Sequence, residues 1–109
     1  MDEEMRLRRL AENELIRKEA NEEIERQARE EEREGGIRDP ELEFFCACGR
    51  PDCDAKLLLT LSEYEAASGP DRFIVVPGHD NPQIEQVVEA HDRYLVVEKQ
   101  AGFQPDERR

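Results

Sequence analysis

The first third of the chain places charged and apolar residues at helical spacing and contains neither Pro nor Gly before Gly35. Glu, Arg, Ala, Leu and Gln dominate this stretch and are good or tolerable helix formers. A Gly pair commonly follows a helix end, so residues 3–34 are predicted to form one helix. Acid–base pairs at i,i+4, among them Glu14 with Lys18, would support it. At 1.5 Å per residue it would be about 48 Å long, too long for the core of a domain this small.

The apolar residues of this helix form only a narrow stripe. Segment 13–20 is echoed by segment 21–28, but an eight-residue echo does not match the seven-residue repeat of a left-handed coiled coil. Two interpretations stay open: a solvated charged helix, or a docking stripe for another helix or a partner protein, which we favour. The predicted stripe consists of Met5, Leu10, Ile16, Ala20, Ile24 and Ala28, with Asn13 among them.

From Ile37 onwards the pattern changes to short β-branched and aromatic runs typical of strands. A helix capped by Thr60 or Ser62 is predicted between the second and third strands. A helix over 82–90 competes with the last hairpin, because Ile84, Val87 and Val88 also fit one helical face. The predicted strands cover 42–45, 55–61, 73–76, 86–89 and 94–98, and the short helix covers 62–67.

These elements predict an α+β fold, in which a long charged N-terminal helix precedes a small, zinc-bound, mainly antiparallel β domain with one short helix. We divide the chain into a helical docking segment (1–36), a zinc-binding domain (37–99) and a flexible tail (100–109).

Composition narrows the functional classes. The 109 residues carry a net charge of −12, with 13 acidic against 8 basic residues in the first 36 alone. Direct nucleic-acid binding is therefore disfavoured, since it needs a clustered basic face. No apolar run approaches the roughly 20 residues of a membrane span, and the N-terminus lacks the apolar core of a secretory signal. Three cysteines packed into eight residues do not resemble a disulfide framework, so a reducing cytoplasm is expected.

The three cysteines form the main candidate site. Cys46, Cys48 and Cys53 make a C-x-C-x4-C knuckle, in which Gly49 is expected to permit unusual backbone angles. His79, in the turn after the predicted strand 73–76, is the predicted fourth ligand of a tetrahedral site. Soft thiolates with one imidazole favour zinc, whereas an iron–sulfur cluster usually takes four cysteines.

Other interpretations of the site stay open. The thiols could be buried without a metal, and His79 could be an ordinary loop histidine. Asp80 could bond the second ring nitrogen of His79 or merely cap the next turn. His91, at a predicted hairpin tip, is expected to be a surface residue. If His79 points away, the cysteines leave an open metal position of the kind that zinc enzymes use. Because no recognised catalytic motif is present, we predict that the protein is not an enzyme.

Several of these segments resemble a group of short actinobacterial proteins whose activity is uncharacterised. The resemblance covers about residues 13–99 and rests on an F-x-C-x-C-G-x3-C knuckle at 44–53, an L-T-x-x-E-Y-E segment at 59–65 and a P-G-H turn at 77–79. It implies that the three cysteines and His79 belong to one site, and it implies no activity.

The sequence thus predicts a small zinc-binding regulatory or adaptor protein that acts through protein–protein contacts of residues 3–34. The alternative is a factor associated with the transcription or nucleic-acid machinery, for example a polymerase-binding protein, supported only by the basic cluster of Arg6, Arg8 and Arg9. A zinc-dependent enzyme with an open site is the third hypothesis.

Overall fold

The structure is a computed structural model that describes residues 2–103, so most of the predicted tail lies outside it. Its elements confirm the α+β prediction of a long N-terminal helix ahead of antiparallel strands and one short helix. In chain order they are α1 (Glu3–Arg33), β1 (Glu41–Phe45), β2 (Lys56–Thr60), α2 (Leu61–Ala67), β3 (Arg72–Val75), β4 (Glu85–Ala90) and β5 (Leu95–Lys99).

The ends of α1 follow from local chemistry. The Asp2 side chain accepts a hydrogen bond from the Met5 amide at 2.9 Å and caps the first turn. At the other end Gly35 adopts a φ of +96° just after the cap residue Glu34, a conformation that glycine takes at no steric cost. The predicted helix boundaries are therefore confirmed to within a residue.

The strands form two small antiparallel sheets. β1 pairs with β2, from Glu41 opposite Thr60 to Phe45 opposite Lys56, and the other sheet has the order β3-β5-β4. The predicted hairpin of 86–89 with 94–98 is confirmed, with a register shift between Val87 and Glu89. The competing helix over 82–90 is not formed, because β5 supplies backbone partners to that segment.

The short helix α2 closes an apolar core over the first sheet. Thr60 caps it through a reciprocal pair: its hydroxyl accepts from the Glu63 amide at 3.1 Å, and the Glu63 carboxylate accepts from the Thr60 amide at 2.8 Å. This start points Tyr64 at Phe44, and the two rings stack with centroids 4.3 Å apart. We call the surrounding cluster the apolar core; it comprises Phe44, Leu57, Leu59, Tyr64, Ala67, Ile74, Tyr94 and Val96.

The sequence predicted a helix outside the core, but α1 buries one side against the strands. The predicted apolar stripe coincides only in part with this buried side. Met5 and Ile16 remain 56% and 63% exposed, whereas Ala28 is buried. Four of the buried positions recur every seven residues, a spacing that returns close to the same side of a helix. The eight-residue echo of segments 13–20 and 21–28 differs from this seven-residue spacing, so the buried side of α1 was not predicted. The buried residues of α1 are Leu7, Glu14, Lys18, Asn21 and Ala28.

Three of these buried residues are polar, and each has partners. Lys18 does not pair with Glu14 as predicted; its ammonium donates to the carbonyl oxygens of Gly69 at 2.7 Å and Arg72 at 2.8 Å. The Asn21 amide donates to the Phe45 carbonyl at 3.0 Å, and its oxygen accepts from the Phe45 amide at 2.8 Å.

Glu14 belongs to a buried ionic group that joins α1 to the second sheet. The Lys99 ammonium contacts the carboxylates of both Glu14 and Glu85, and all three residues are 3% exposed or less. The same ammonium lies 4.1 Å from the centroid of the Phe73 ring, within cation–π range. We call this interface between α1 and the rest of the fold the polar seam; its α1 members are Asn13, Glu14, Arg17, Lys18 and Asn21.

Among the described residues, no helix combines the length and the apolar composition needed to cross a bilayer.

Candidate metal centre

The knuckle is held between the two sheets by its own backbone. The Cys46 amide donates to the Ala55 carbonyl at 3.0 Å, which ties the start of the loop to its end. The Ala47 amide donates to the Ile74 carbonyl at 2.9 Å and so fastens the loop to β3. Cys46 and Cys48 are buried and Cys53 is half-buried, and all three thiols are free of disulfides.

His79 reaches the knuckle through a tight turn after β3. The His79 amide donates to the Val76 carbonyl at 2.9 Å, and Gly78 inside the turn has a φ of +91°. A residue with a side chain would be strained there, which explains why glycine follows Pro77. The turn directs the imidazole at the three sulfurs.

The distances from the His79 ring nitrogen to the three sulfurs match those of a tetrahedral metal centre. The Nδ1 atom of His79 lies 3.6 Å from the Cys46 sulfur, 3.5 Å from that of Cys48 and 3.6 Å from that of Cys53. Tetrahedral zinc bonds of about 2.3 Å to sulfur and 2.0 Å to nitrogen would separate these atoms by about 3.5 Å. The structure therefore brings all four predicted residues together, with every ligand atom within 4.8 Å of the others, in an arrangement suited to a metal ion.

Backbone amides around the sulfurs favour thiolates. The Val76 amide donates to the Cys46 sulfur at 3.2 Å, and the amides of Arg50 and Ala55 point at the sulfurs of Cys48 and Cys53. Such donation stabilises the charged form of a ligand.

When no metal is present, burial has the opposite effect and disfavours the charged thiolates. It raises the pKa of Cys46 to about 12 and also raises the pKa of Cys48. At Cys53 burial has the same sense, but the Ala55 amide and the neighbouring thiols outweigh it, so that its pKa is lowered. Three adjacent thiolates at this place would therefore need a nearby cation, which a metal ion bound by the four residues would supply.

The role of Gly49 differs from the one expected. The structure does not give it a positive φ. A β-carbon at this position would instead lie 2.3 Å from the carbonyl oxygen of Leu10 in α1. Gly49 is needed because the loop and the backbone of the helix approach each other so closely.

The contacts of α1 with the knuckle were not predicted. The Asn13 amide donates to the Gly49 carbonyl at 3.1 Å. The Arg17 guanidinium donates to the carbonyl oxygens of Cys48 and Arg50, both at 2.8 Å, and lies 3.6 Å from the Cys48 sulfur. A signal for them exists in the sequence: Asn13, Arg17 and Asn21 are spaced four apart and therefore share one side of the helix.

The surroundings of the two histidines also differ. Within the described part of the chain, Asp80 makes no hydrogen bond to the His79 ring, so the first proposed role of Asp80 is wrong. His79 and Asp80 both line a cavity of about 480 Å³ that none of the three cysteines borders.

His91 lies apart from the metal centre, as expected. It is exposed, 3.0 Å from a Glu89 carboxylate oxygen and stacked on Tyr94.

Comparisons with protein-family models, with curated proteins and with solved structures return no match to this chain. The geometry by itself defines the class of site: a Cys3His cluster suited to a metal ion.

Proposed function

We propose that this protein is a small zinc-binding regulatory or adaptor module, in which the metal organises the fold and the outer side of α1 binds a protein partner. The observation that carries the metal assignment is the set of three sulfur–Nδ1 distances of 3.5–3.6 Å. Thiolate and imidazole ligands suit zinc. Four protein ligands leave no position for water, which supports a structural role for the metal and argues against zinc-dependent catalysis.

The partner surface follows from the orientation of α1. Because its polar seam is used inside the protein, only its outer side is available for docking. That side carries a shallow acidic groove, and its charge complements a basic partner. A basic nucleic-acid-binding protein is one such partner, whereas the net charge of −12 opposes direct contact with phosphates. The groove is lined by Glu19, Glu22, Glu23, Glu25, Arg26 and Arg29.

Metal content tests the first half of the proposal. The protein purified without added chelator is expected to carry one zinc per chain by elemental analysis and native mass spectrometry. Cys48→Ser is expected to lose it, and Asp52→Asn, a change in the same loop at an exposed residue that is not a ligand, to keep it. Failure of the unaltered protein to bind zinc at micromolar concentration would contradict the assignment.

Charge reversal tests the second half. Glu19→Lys with Glu23→Lys alters the acidic groove, and Glu41→Lys with Glu43→Lys makes the same change of net charge on exposed positions of β1. Capture of a basic partner should be lost with the first pair and kept with the second. Equal capture by both would remove the groove of α1 from the proposal.

A further inference from the structure

Three polar side chains of α1 contact the loop that carries the cysteines. Asn21 binds the backbone of Phe45, just before the first cysteine, and Asn13 donates to the Gly49 carbonyl within the loop. Arg17 lies between them on the helix and reaches the carbonyls on either side of Gly49. The helix thus forms one wall of the metal centre.

Arg17 makes the most direct of these contacts. Its guanidinium donates at 2.8 Å to the carbonyl of Cys48 and at 2.8 Å to that of Arg50, two residues further along. The rigid fork of an Arg side chain can hold two such acceptors at once. Nη1 also lies 3.6 Å from the Cys48 sulfur. Arg17 therefore fixes both the backbone that aims the sulfur and the sulfur itself.

The charge of the centre gives this contact a second effect. A divalent ion with three thiolates and one neutral imidazole carries a net charge of −1 in a partly buried site. A cation at hydrogen-bond distance from a ligand sulfur offsets that charge. Arg50 does not take this place, because its exposed side chain donates to the Gly78 carbonyl at 3.3 Å.

We propose that Arg17 is a positioning and charge-compensating residue of the metal centre, and that docking of α1 and metal binding therefore stabilise each other. The inference rests on the metal binding proposed above. Because coupling between two binding events is reciprocal, whatever weakens the docked helix loosens the metal, and loss of the metal loosens the helix.

The test uses the full chain and four variants, with zinc affinity measured by competition with a chromophoric chelator. Arg17→Gln is expected to bind zinc about 10–100-fold more weakly, the usual loss when a residue behind a metal ligand is removed. Arg17→Lys should be intermediate, because it keeps the charge and loses the fork. Arg33→Gln, at an exposed residue that pairs with Glu30 on the same helix, should bind as the unaltered protein does. Asn13→Ala should show a smaller loss than Arg17→Gln.

The absorption spectrum of the cobalt-substituted protein separates a direct effect on the sulfur from a loosened helix. Removing the donor from the Cys48 sulfur should shift the sulfur-to-cobalt charge-transfer band in Arg17→Gln, with partial return in Arg17→Lys. Weaker binding with an unmoved band would overturn the direct role of Arg17. Unchanged zinc affinity in Arg17→Gln, or in Asn13→Ala if Arg17→Gln does not fold, would overturn the coupling. Absence of zinc binding by the unaltered protein would contradict the proposed function instead.

Discussion

The apolar core and the buried residues of the polar seam, Glu14, Lys18 and Asn21, are built from opposite chemistry. In the apolar core, Phe44 and Leu59 are fully buried and Tyr64 is 3% exposed, and removal of apolar surface from water supplies the stabilisation. In the polar seam, Glu14 and Asn21 are 1% and 2% exposed, and every buried polar group depends on a partner.

The two interfaces therefore make different contributions to the fold. Apolar contacts stabilise many similar arrangements, whereas hydrogen bonds have direction and favour one. The two bonds between Asn21 and the Phe45 backbone form in a single register of α1. The apolar core therefore supplies stabilising free energy, and the polar seam sets the position of α1 against the knuckle.

Removal of the metal should break both interfaces at once and have the largest effect. Apparent binding energies of structural zinc, on the order of 10–16 kcal/mol, exceed the net stability that so small a core provides. We expect Cys48→Ser, or excess chelator, to abolish the cooperative melt of residues 37–99 in circular dichroism. An unchanged cooperative melt in chelator would contradict this prediction.

Truncation in the apolar core should come next. Phe44→Ala removes a fully buried ring that stacks on Tyr64 and should lower the free energy of unfolding by about 3–5 kcal/mol. Phe45→Ala is the matched control, since the neighbouring ring is 37% exposed on the other face of β1. Urea denaturation of the zinc-loaded variants measures both, and equal losses would argue against the assigned core.

Loss of the central cation should be the most damaging change within the polar seam. Lys99→Met leaves the buried carboxyl groups of Glu14 and Glu85 without their shared partner, which should cost about 3 kcal/mol. Replacing all three residues by apolar ones, with Glu14→Leu and Glu85→Leu added, should recover most of the loss. If the triple variant is no more stable than Lys99→Met, the ionic group is not the source of the effect.

The same group makes stability depend on pH. Burial raises the pKa of Glu14 to about 8, with the neighbouring Glu85 carboxylate adding to the shift and Lys99 opposing it. The folded protein thus holds a proton that the unfolded chain releases, so stability should fall as the pH rises toward about 8, by at most about 1.4 kcal/mol per pH unit.

Glu14→Gln, which mimics the protonated carboxyl, should flatten that dependence. Urea midpoints measured from about pH 6 to 8 at constant zinc loading test the prediction. A Glu14→Gln protein whose midpoint still falls as steeply as that of the unaltered protein would exclude Glu14 as the titrating group.

Asn21→Ala should destabilise the fold less than the substitutions of Cys48, Phe44 and Lys99. It removes two hydrogen bonds to the Phe45 backbone and should lower the free energy of unfolding by about 1–3 kcal/mol. Gln27→Ala, on the exposed side of α1, should change it little. If Asn21→Ala changes the free energy of unfolding no more than Gln27→Ala does, the two hydrogen bonds to Phe45 do not stabilise the fold.

The apolar half of the molecule was largely predictable from sequence. Local signals stand next to the elements they define: Gly35 after α1, the Thr60–Glu63 pair at the start of α2, and the apolar runs of β2 and β3. The four candidate ligands were also found, since three cysteines within eight residues form a dense local signal and the Pro77-Gly78-His79 turn follows a clear strand.

The polar seam was not predictable by the same means. Apolar periodicity does not reveal the burial of Glu14, Lys18 and Asn21, because polar residues on a charged helix normally face water. Their burial depends on partners far away in the chain, such as Lys99 for Glu14 and Phe45 for Asn21. Pairings over such separations leave no local periodicity of apolar residues to detect.

The contact of Gly49 with the Leu10 carbonyl also has a use in finding related chains. A protein built in this way needs a residue without a side chain after the second cysteine. It also needs Asn, Arg and Asn at intervals of four on the preceding helix, as at positions 13, 17 and 21. The combined signature is N-x3-R-x3-N on a helix followed by C-x-C-G-x3-C, and it reflects a contact between segments distant in sequence. Searches for this signature would select proteins in which a helix packs against the knuckle.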